Sequence, residues 1–477
     1  MRSDRWVGID QGSTATKAIL LDGAGRVVRV VTLPVATRFP ASGWVEQDAE
    51  ALAASVRRAL GRVLEGEKLE RVRGVGIACQ RSTCLFWDAV SGRPLTAALS
   101  WRDVRGAAHC DKLARHARLV EQKTGLRLSP HYAASKLRWL LRRNPDLRSK
   151  ARQGKARCGT LDAYLLFRLT GGDSFSTDPT HAARTLLMDL TRREWDAELL
   201  DLFGIPLRAL PPIRPGAFPA GEIALRGTRL RIAATLGDQQ AALLGSGCRR
   251  AGEMVINFGT GAFAALNTGR RVARVPGLLT SVAWSSEKEV RFLLEGTVNS
   301  AGSAVDWIDR LASGRNTGTG NRLRLDRIPI FIPALTGIAA PHWRSDRLAA
   351  ILDMRPDTGA AELHEAALAG VACRVREIVE RMAAAKSAPR RMVLSGGLLR
   401  DRRFVALQAA ILGRRLEIPE IPEATALGAA ALARHFLRDL DLNREAPRPA
   451  RSVVPASSAE SERYYRRFRS HLDRLLS

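Results

Sequence analysis

Trp6-Val7-Gly8-Ile9-Asp10-Gln11-Gly12-Ser13-Thr14-Ala15-Thr16-Lys17-Ala18-Ile19-Leu20-Leu21-Asp22 reads as a strand, a tight turn and a second strand. Apolar residues flank a Gly/Ser/Thr centre, and Asp22-Gly23-Ala24-Gly25 marks the next hairpin turn. The hydroxyls and amides of such a turn can hold phosphates, with Asp10 facing a Mg²⁺ and Lys17 adding positive charge. The same glycines and threonines suit an ordinary hairpin. No GxGxxG or GxxxxGK[ST] leads from a strand into a helix, so a dinucleotide fingerprint and a P-loop are both excluded.

Further along, the pattern restarts. Glu253–Phe258 reads as a strand, Gly259-Thr260-Gly261 as a small loop, and Ala262–Asn267 as another strand. Just before it, Leu236-Gly237-Asp238-Gln239-Gln240-Ala241-Ala242 places a carboxylate and its neighbouring amide on a glycine turn. A carboxylate can deprotonate a hydroxyl, and a Gly-Thr-Gly loop can bring backbone amides close to a phosphate. Together they suit phosphoryl transfer. Taken singly, a Gly-Asp pair is also a common turn, and Asp238 also suits a helix N-cap.

A chain of 477 residues is long enough for two domains, each with its own core. No run of about 20 apolar residues is present, and Arg2, Asp4 and Arg5 lead straight into the first strand without a signal-peptide pattern. A cytoplasmic setting with no membrane partner is expected. The six cysteines, Cys79, Cys84, Cys110, Cys158, Cys248 and Cys373, are scattered, with no CxxC and no histidine at metal spacing. They read as small buried thiols, not as a disulfide framework or a zinc site. The formal charge of +27 could attract nucleic acid or steer an anionic nucleotide. Its arginines are spread along the whole chain and no nucleic-acid motif accompanies them, so no nucleic-acid partner is expected.

Between these motifs the periodicity predicts a helix over Asp48–Leu64, with Leu52, Val56, Leu60 and Val63 on one face. Arg73–Cys79 reads as a buried strand delivering Gln80-Arg81 at its end. Helices are predicted over 104–122, 133–143, 160–169, 361–385 and 402–413. The five prolines between Pro206 and Pro219 predict a loop, and a strand near Leu230–Ala234 feeds the Gly237-Asp238 turn. A Pro/Arg/Ser-rich stretch, Ala446–Ser458, precedes an amphipathic helix over Ser461–Leu476 whose expected role is packing.

These segments, in this order and spacing, resemble the FGGY carbohydrate kinases, and among them the glycerol kinases most closely. The resemblance runs from about residue 5 to about residue 437 and includes Gln80-Arg81-Ser82-Thr83, Trp101, Lys136-Leu137-Arg138-Trp139 and Gly159-Thr160-Leu161-Asp162. It continues through Thr177-Asp178, Ala183-Arg184-Thr185, Leu294-Glu295-Gly296, Pro341-His342-Trp343, Ser395-Gly396-Gly397 and Glu423–Ala430. It implies an α/β fold of two actin-like ATPase (ribonuclease H-like) domains with a nucleotide cleft between them. The expected division is 1–240, with the substrate and the first phosphate loop, then 241–440, with the nucleotide, then a tail over 441–477. ATP and Mg²⁺ are the implied cofactors, a small polyol or sugar the implied substrate, and a homo-oligomer the expected assembly.

By this resemblance Asp238 is the general base and Asp10 sits by Mg²⁺. Gln11, Gly12, Ser13, Thr14 and Lys17 contact phosphates on one side, and Gly259, Thr260 and Gly261 on the other. Gly396, Gly397 and Asp401 lie by the adenosine. Arg81, Ser82, Trp101, His131, Asp238 and Gln239 bind the substrate, because each buried hydroxyl of a polyol needs a partner. Two of these depart from glycerol kinase: Ser82 stands in place of a glutamate and His131 in place of a tyrosine. The pocket becomes larger and less negative, which keeps a tetritol, a ketopentose or another larger sugar open as substrate. Asp401 replaces an asparagine, and Ala369 replaces an acidic residue in a degraded second signature. Arg229 resembles the arginine of a regulatory sugar-bisphosphate loop whose opening glycines are replaced by Ile223, Ala224 and Leu225, so that regulation is not expected. A catalytically weak sugar and nucleotide sensor is the remaining reading, opposed by the retention of Asp10, Thr14 and Asp238.

Overall fold

The computed structural model describes residues 4–312, 325–384, 387–420, 423–438, 442, 449–456 and 459–477. Parts of the Ala446–Ser458 stretch, 446–448 and 457–458, therefore lie outside the described residues. Two large sheets organise the chain. The first is built from Arg5–Gln11 (β1), Ala15–Leu21 (β2), Val27–Pro34 (β3), Val72–Cys79 (β4), Ala217–Leu225 (β5) and Thr228–Gly237 (β6) in the order β5-β6-β4-β1-β2-β3. The second uses Glu253–Phe258 (β7), Ala262–Gly269 (β8), Leu279–Ser285 (β9), Val290–Val298 (β10), Arg391–Gly396 (β11), Leu416–Pro419 (β12) and Pro449–Val453 (β13), in the order β9-β10-β8-β7-β11-β12-β13.

The two sheets repeat one plan. Each opens with an antiparallel hairpin, β1-β2 and β7-β8, whose first strand then takes a parallel partner, β4 and β11. Each ends on an antiparallel edge pair, β6-β5 and β12-β13. The second sheet carries one extra strand, β9, at its outer edge. Because β1, β4 and β6 are parallel and in register, with Gln11 opposite Cys79 and Gly237 opposite Cys79, their C-terminal ends lie side by side. Loops leaving such neighbouring ends are where open α/β sheets bind ligands.

The helix Ala49–Val63 (α1) follows the predicted span, with Asp48 as its N-cap accepting from the Ala51 amide. Ala133–Arg143 (α2), Leu161–Leu169 (α3) and Arg402–Leu412 also match their predicted spans, as does Ala360–Ala384 within the described residues. The predicted helix 104–122 is instead broken into Ala107–Lys112, a 3₁₀ turn at Ala114–His116, and Ala117–Thr124. Buried Asp103 accepts from Val45 N and from Arg105, which fixes the start outside a helix. Residues 114–119 then bury no side chain fully, so no packed face holds them in an α turn. The proline-rich segment holds one 3₁₀ turn, Leu207–Ala209, and is otherwise a loop as expected until Ala217, where β5 begins. Pro219 is tolerated there because it falls at an irregularity in register between Ala217 and Gly221.

The C-terminal helix Ala459–Leu476 buries Tyr464, Tyr465, Phe468 and Leu472 against the second core, which is the packing role expected of it. All six cysteines are buried and unpaired. Among the described residues no helix is long and apolar enough to cross a membrane.

The halves meet where the helix Asp238–Gly245 (α4) crosses Ala424–Arg438 (α5), and α5 also lies across the first sheet. A Cβ added at Gly245 would stand 1.8 Å from the Ala424 carbonyl oxygen, and one at Gly428 1.9 Å from that of Ala241. On the sheet side, a Cβ at Gly8 would stand 1.9 Å from Ala426 O, and one at Gly76 2.0 Å from Ala429 O. Only glycine fits at these four crossings.

Candidate active site

Three strand ends bring the candidate residues together. Asp10 lies near the end of β1, Gln80-Arg81 follow β4, and Asp238 follows β6 as the first residue of α4. Arg81 Nε lies 3.2 Å from Asp238 Oδ1, and that same oxygen accepts from the Gln239 amide at 2.7 Å. Gly237 makes the approach possible: a Cβ there would lie 2.8 Å from both Cγ and Cδ of Arg81. Burial first, and then the nearby Asp238 carboxylate, push the Asp10 carboxyl up to about 7, with Lys17 opposing them. Lys17 faces Asp10 across the β1-β2 hairpin. Of the two carboxylates, Asp238 is paired with Arg81, whereas Asp10 has only Lys17 to oppose its burial.

Glu295, on β10 of the second sheet, reaches the same place. It accepts from Arg81 Nη1 at 2.9 Å and from Arg184 Nη2 at 2.5 Å to each of its oxygens. Burial alone would raise the Glu295 pKa, but the Arg184 and Arg81 guanidiniums outweigh it and hold the carboxyl down at about 2. The arginine that touches Asp238 is thus also tied to the second sheet. Glu295 and Arg184 were visible in the sequence only as parts of motifs. Their pairing across 111 positions leaves no local signal.

Three of the expected sugar-binding residues, Ser82, Trp101 and His131, lie on segments tied to one buried ammonium. Lys136 on α2 donates to the carbonyls of Ser82 at 2.8 Å, Ser100 at 2.8 Å and His131 at 3.0 Å. These carbonyls belong to the segments carrying Ser82, Trp101 and His131. His131 Nδ1 lies 3.2 Å from the Trp101 carbonyl, and the Trp101 amide donates to Thr83 Oγ1. Trp101 keeps 38% of its surface exposed. Ser82 is buried, with φ at 63° and its hydroxyl donating to the Arg184 carbonyl at 3.2 Å. Burial pulls the Lys136 pKa down to about 8. Its role, too, was hidden in a quoted motif.

The turn after β1 is closed by the Gly12 amide donating to Ala15 O at 2.9 Å, and Thr14 is exposed. Gln11 is fully buried, with its amide donating to Gly12 O and accepting from Gln80, so it supports the turn from beneath. In the second half Gly259 and Thr260 are exposed, while the carbonyl of Thr260 accepts from the amides of Ala301 and Ser303. Gly396 pairs with Phe258 across the parallel strands β7 and β11, which sets Gly396-Gly397 beside Gly259-Thr260-Gly261. The Gly396 φ of 105° is open only to glycine, since a Cβ would lie 2.3 Å from Phe258 O. Asp401 caps the helix Arg402–Leu412, accepting from Arg403 N at 2.8 Å. Arg229 sits on a tight hairpin turned by Arg226 and Gly227, both at positive φ, and pairs with Glu222 on the surface.

Two sheets of one plan, each opening on a hairpin with a Gly/Thr turn, and a carboxylate at the end of β6 are the arrangement on which the comparisons bear. The profile described as "FGGY family of carbohydrate kinases, N-terminal domain" matches residues 5–245, and that of the C-terminal domain matches residues 254–436. The chain belongs to the FGGY family of carbohydrate kinases, and it is a sugar or polyol kinase. It is 42% identical to the glycerol kinase of Thermus brockianus over 438 residues, 89% of this chain and 88% of the relative. Against the Brucella ovis glycerol kinase it is 38% identical over 442 residues, 90% of this chain and 89% of the relative. Among solved structures it resembles Plasmodium falciparum glycerol kinase with ADP, at a TM-score of 0.90 and 26% identity, covering 99% of this chain and 98% of that one. A xylulose kinase from Rhodospirillum rubrum shares the fold at a TM-score of 0.87 and 22% identity, covering 99% of each chain.

Proposed function

We propose that the protein transfers the γ-phosphoryl group of ATP to a primary hydroxyl of glycerol or of a polyol close to it in size. The observation that carries this is the Asp238 carboxylate, held by Arg81 and the Gln239 amide beside the strand ends bearing Asp10 and Arg81. Asp238 takes the proton of the attacking hydroxyl as the oxygen–phosphorus bond forms and ADP leaves. Arg81, Trp101, His131 and Gln239 hold the remaining hydroxyls, and Ser82 closes the pocket floor. Gly12, Ser13, Thr14 and Lys17 flank the phosphates from the first half, and Gly259, Thr260 and Gly261 from the second. Gly396, Gly397 and Asp401 border the adenosine, in a cleft between units spanning 1–240 and 241–440, the boundary falling inside α4.

Asp10, buried beside a second carboxylate and opposed only by Lys17, fits a Mg²⁺ held through its side chain. A bound Mg²⁺ supplies neutralisation of the phosphate oxygens as charge moves between them.

Glycerol is placed first because the glycerol kinases of Thermus brockianus and Brucella ovis match over nearly nine-tenths of the chain. A second reading rests on Ser82, whose short side chain is turned to a backbone carbonyl and carries no carboxylate to meet a glycerol hydroxyl. It makes a tetritol or a ketopentose the substrate. The deciding experiment follows ADP release with Mg-ATP across glycerol, tetritols, pentitols, ketopentoses and aldohexoses, for the wild type and Ser82→Glu. Glycerol turnover by the wild type supports the first reading. Turnover of a longer substrate alone, converted toward glycerol by Ser82→Glu, supports the second. No turnover on the panel overturns both.

A further inference from the structure

Beneath the turn that carries Asp238 lies a buried group that the transfer chemistry does not use. Asp162 stands on α3, Asp178 caps the short helical turn Pro179–Ala182, and His181 lies within that turn. One ligand-capable atom from each lies within 4.8 Å of the other two, and all three residues are at most 3% exposed. Asp162 accepts at both oxygens, from Thr160 Oγ1 and Thr177 Oγ1, each at 2.6 Å. Asp178 Oδ1 accepts from the Thr180 amide and hydroxyl, at 2.7 and 2.5 Å. Its other oxygen, Oδ2, has no hydrogen-bond partner, and neither has His181 Nδ1, although both residues are fully buried. His181 Nδ1 lies 3.7 Å from Asp162 Oδ1, too far for a hydrogen bond. Among the described residues no lysine or arginine pairs with either carboxylate.

Two carboxylates withdrawn from water without a cationic partner are costly, and so is a buried imidazole nitrogen without one. A divalent cation relieves both. We propose that Asp162, Asp178 and His181 bind a structural divalent metal ion of borderline character, Zn²⁺ before Mn²⁺, distinct from the Mg²⁺ assigned to Asp10. An N,O,O donor set suits such ions and disfavours soft Cu(I). Donors about 2.0–2.2 Å from a common ion stand some 3–4 Å apart, so the three side chains draw in by about 1 Å or less on loading. The far side of the ring sets the tautomer. His181 Nε2 lies 3.4 Å from the Cys79 thiol, and a proton carried there leaves Nδ1 free to ligate.

The placement gives the ion a purpose. Thr180, between two of the ligands, accepts the Gly237 amide on its hydroxyl at 2.7 Å, and Gly237 immediately precedes Asp238. The ion would lock the shelf on which the base is mounted without touching substrate. Sequence spacing could not show this, because Asp162 and His181 lie 19 positions apart and fall outside any short metal motif.

The test is the metal content of full-length protein, purified without a chelator or a metal-affinity step and then dialysed against micromolar Zn²⁺ and against metal-free buffer. One tightly held equivalent per chain, retained in Asp10→Asn and lost in His181→Ala, is expected. Loading with Co²⁺ should give a visible ligand-field band in the wild type and in Asp10→Asn, and none in His181→Ala. Chelation should lower the melting temperature of the wild type and of Asp10→Asn, and leave that of His181→Ala unchanged. Metal-free wild type that takes up no Zn²⁺ or Co²⁺ overturns the proposal and leaves a cluster held by shared protons. Equal metal content in His181→Ala overturns it as well, and should that variant fail to fold, the Co²⁺ band of the wild type decides alone.

Discussion

Lys136→Met tests whether one ammonium assembles the sugar pocket. In the wild type its three protons are spent on the carbonyls of Ser82, Ser100 and His131. Methionine fills the space but donates nothing. The Ser100 carbonyl keeps the Asp103 amide as a donor, whereas those of Ser82 and His131 each lose Lys136 at about 2 kcal/mol. Against this total of about 4 kcal/mol stands the burial of the charge itself. A fall in the Lys136 pKa from 10.5 to about 8 corresponds to about 3 kcal/mol of penalty, which the variant no longer bears. The expected net loss is about 1 kcal/mol of stability. Because the three freed segments carry Ser82, Trp101 and His131, the KM for the sugar should rise about tenfold or more, equivalent to about 1.4 kcal/mol or above. The turnover number should stay within about threefold, since Lys136 makes no bond to Asp238.

The pH dependence adds a second signature. Between about 8 and 10.5 the unfolded chain binds more protons at Lys136 than the folded one, so its contribution to stability rises with pH across that window. Sugar affinity should fall over the same window, because the neutral amine has two donors for three carbonyls. Melting curves and steady-state ADP release from pH 7 to 10 measure both. An unchanged KM in Lys136→Met, or stability and affinity moving together with pH in the wild type, would refute the reasoning.

Asp238→Asn should lower the turnover number by about 10²–10⁴-fold with little change in sugar KM, measured by ADP release; wild-type turnover would remove Asp238 as the base. Glu295→Gln weakens the anion between two guanidiniums, and breaking a buried pair of this kind costs about 3–5 kcal/mol. A clear drop in melting temperature and a raised sugar KM should accompany it, and an unchanged melting curve would count against the clamp. Gly245→Ala puts a methyl 1.8 Å from the Ala424 carbonyl oxygen, so the helices must part. Destabilisation above about 4 kcal/mol is expected, read as lost folded yield, and a wild-type melt would contradict the crossing.

The opening hairpin and its repeat at β7-β8 were legible because each is local: a strand, a small-residue turn and a strand within some twenty residues. Helices with a regular apolar stripe, such as α1, were legible for the same reason. The edge strand β5 was hidden by its proline, and β9 and β10 carried no turn signal strong enough to separate them. In the site, Asp10, Arg81 and Asp238 could be named from motifs, and the parallel register explains why they converge. Arg184, Glu295 and Lys136 could not be given roles, because each acts through partners far away in sequence. The sequence offered no metal spacing around its cysteines and gave His181 no signal, yet it lies against Cys79 and two carboxylates drawn from separate segments.

Helix α5 meets both α4 and the first sheet at backbone contact, through Gly245 and Gly428 on one side and Gly8 and Gly76 on the other. Around these contacts the side chains of Ala241, Leu244, Ala429 and Leu432 share one buried cluster. A side chain under pressure can change rotamer, but a carbonyl against a bare α-carbon has no such escape. Helix α5, although it comes late in the chain, is therefore held to α4 and the first sheet as one rigid block.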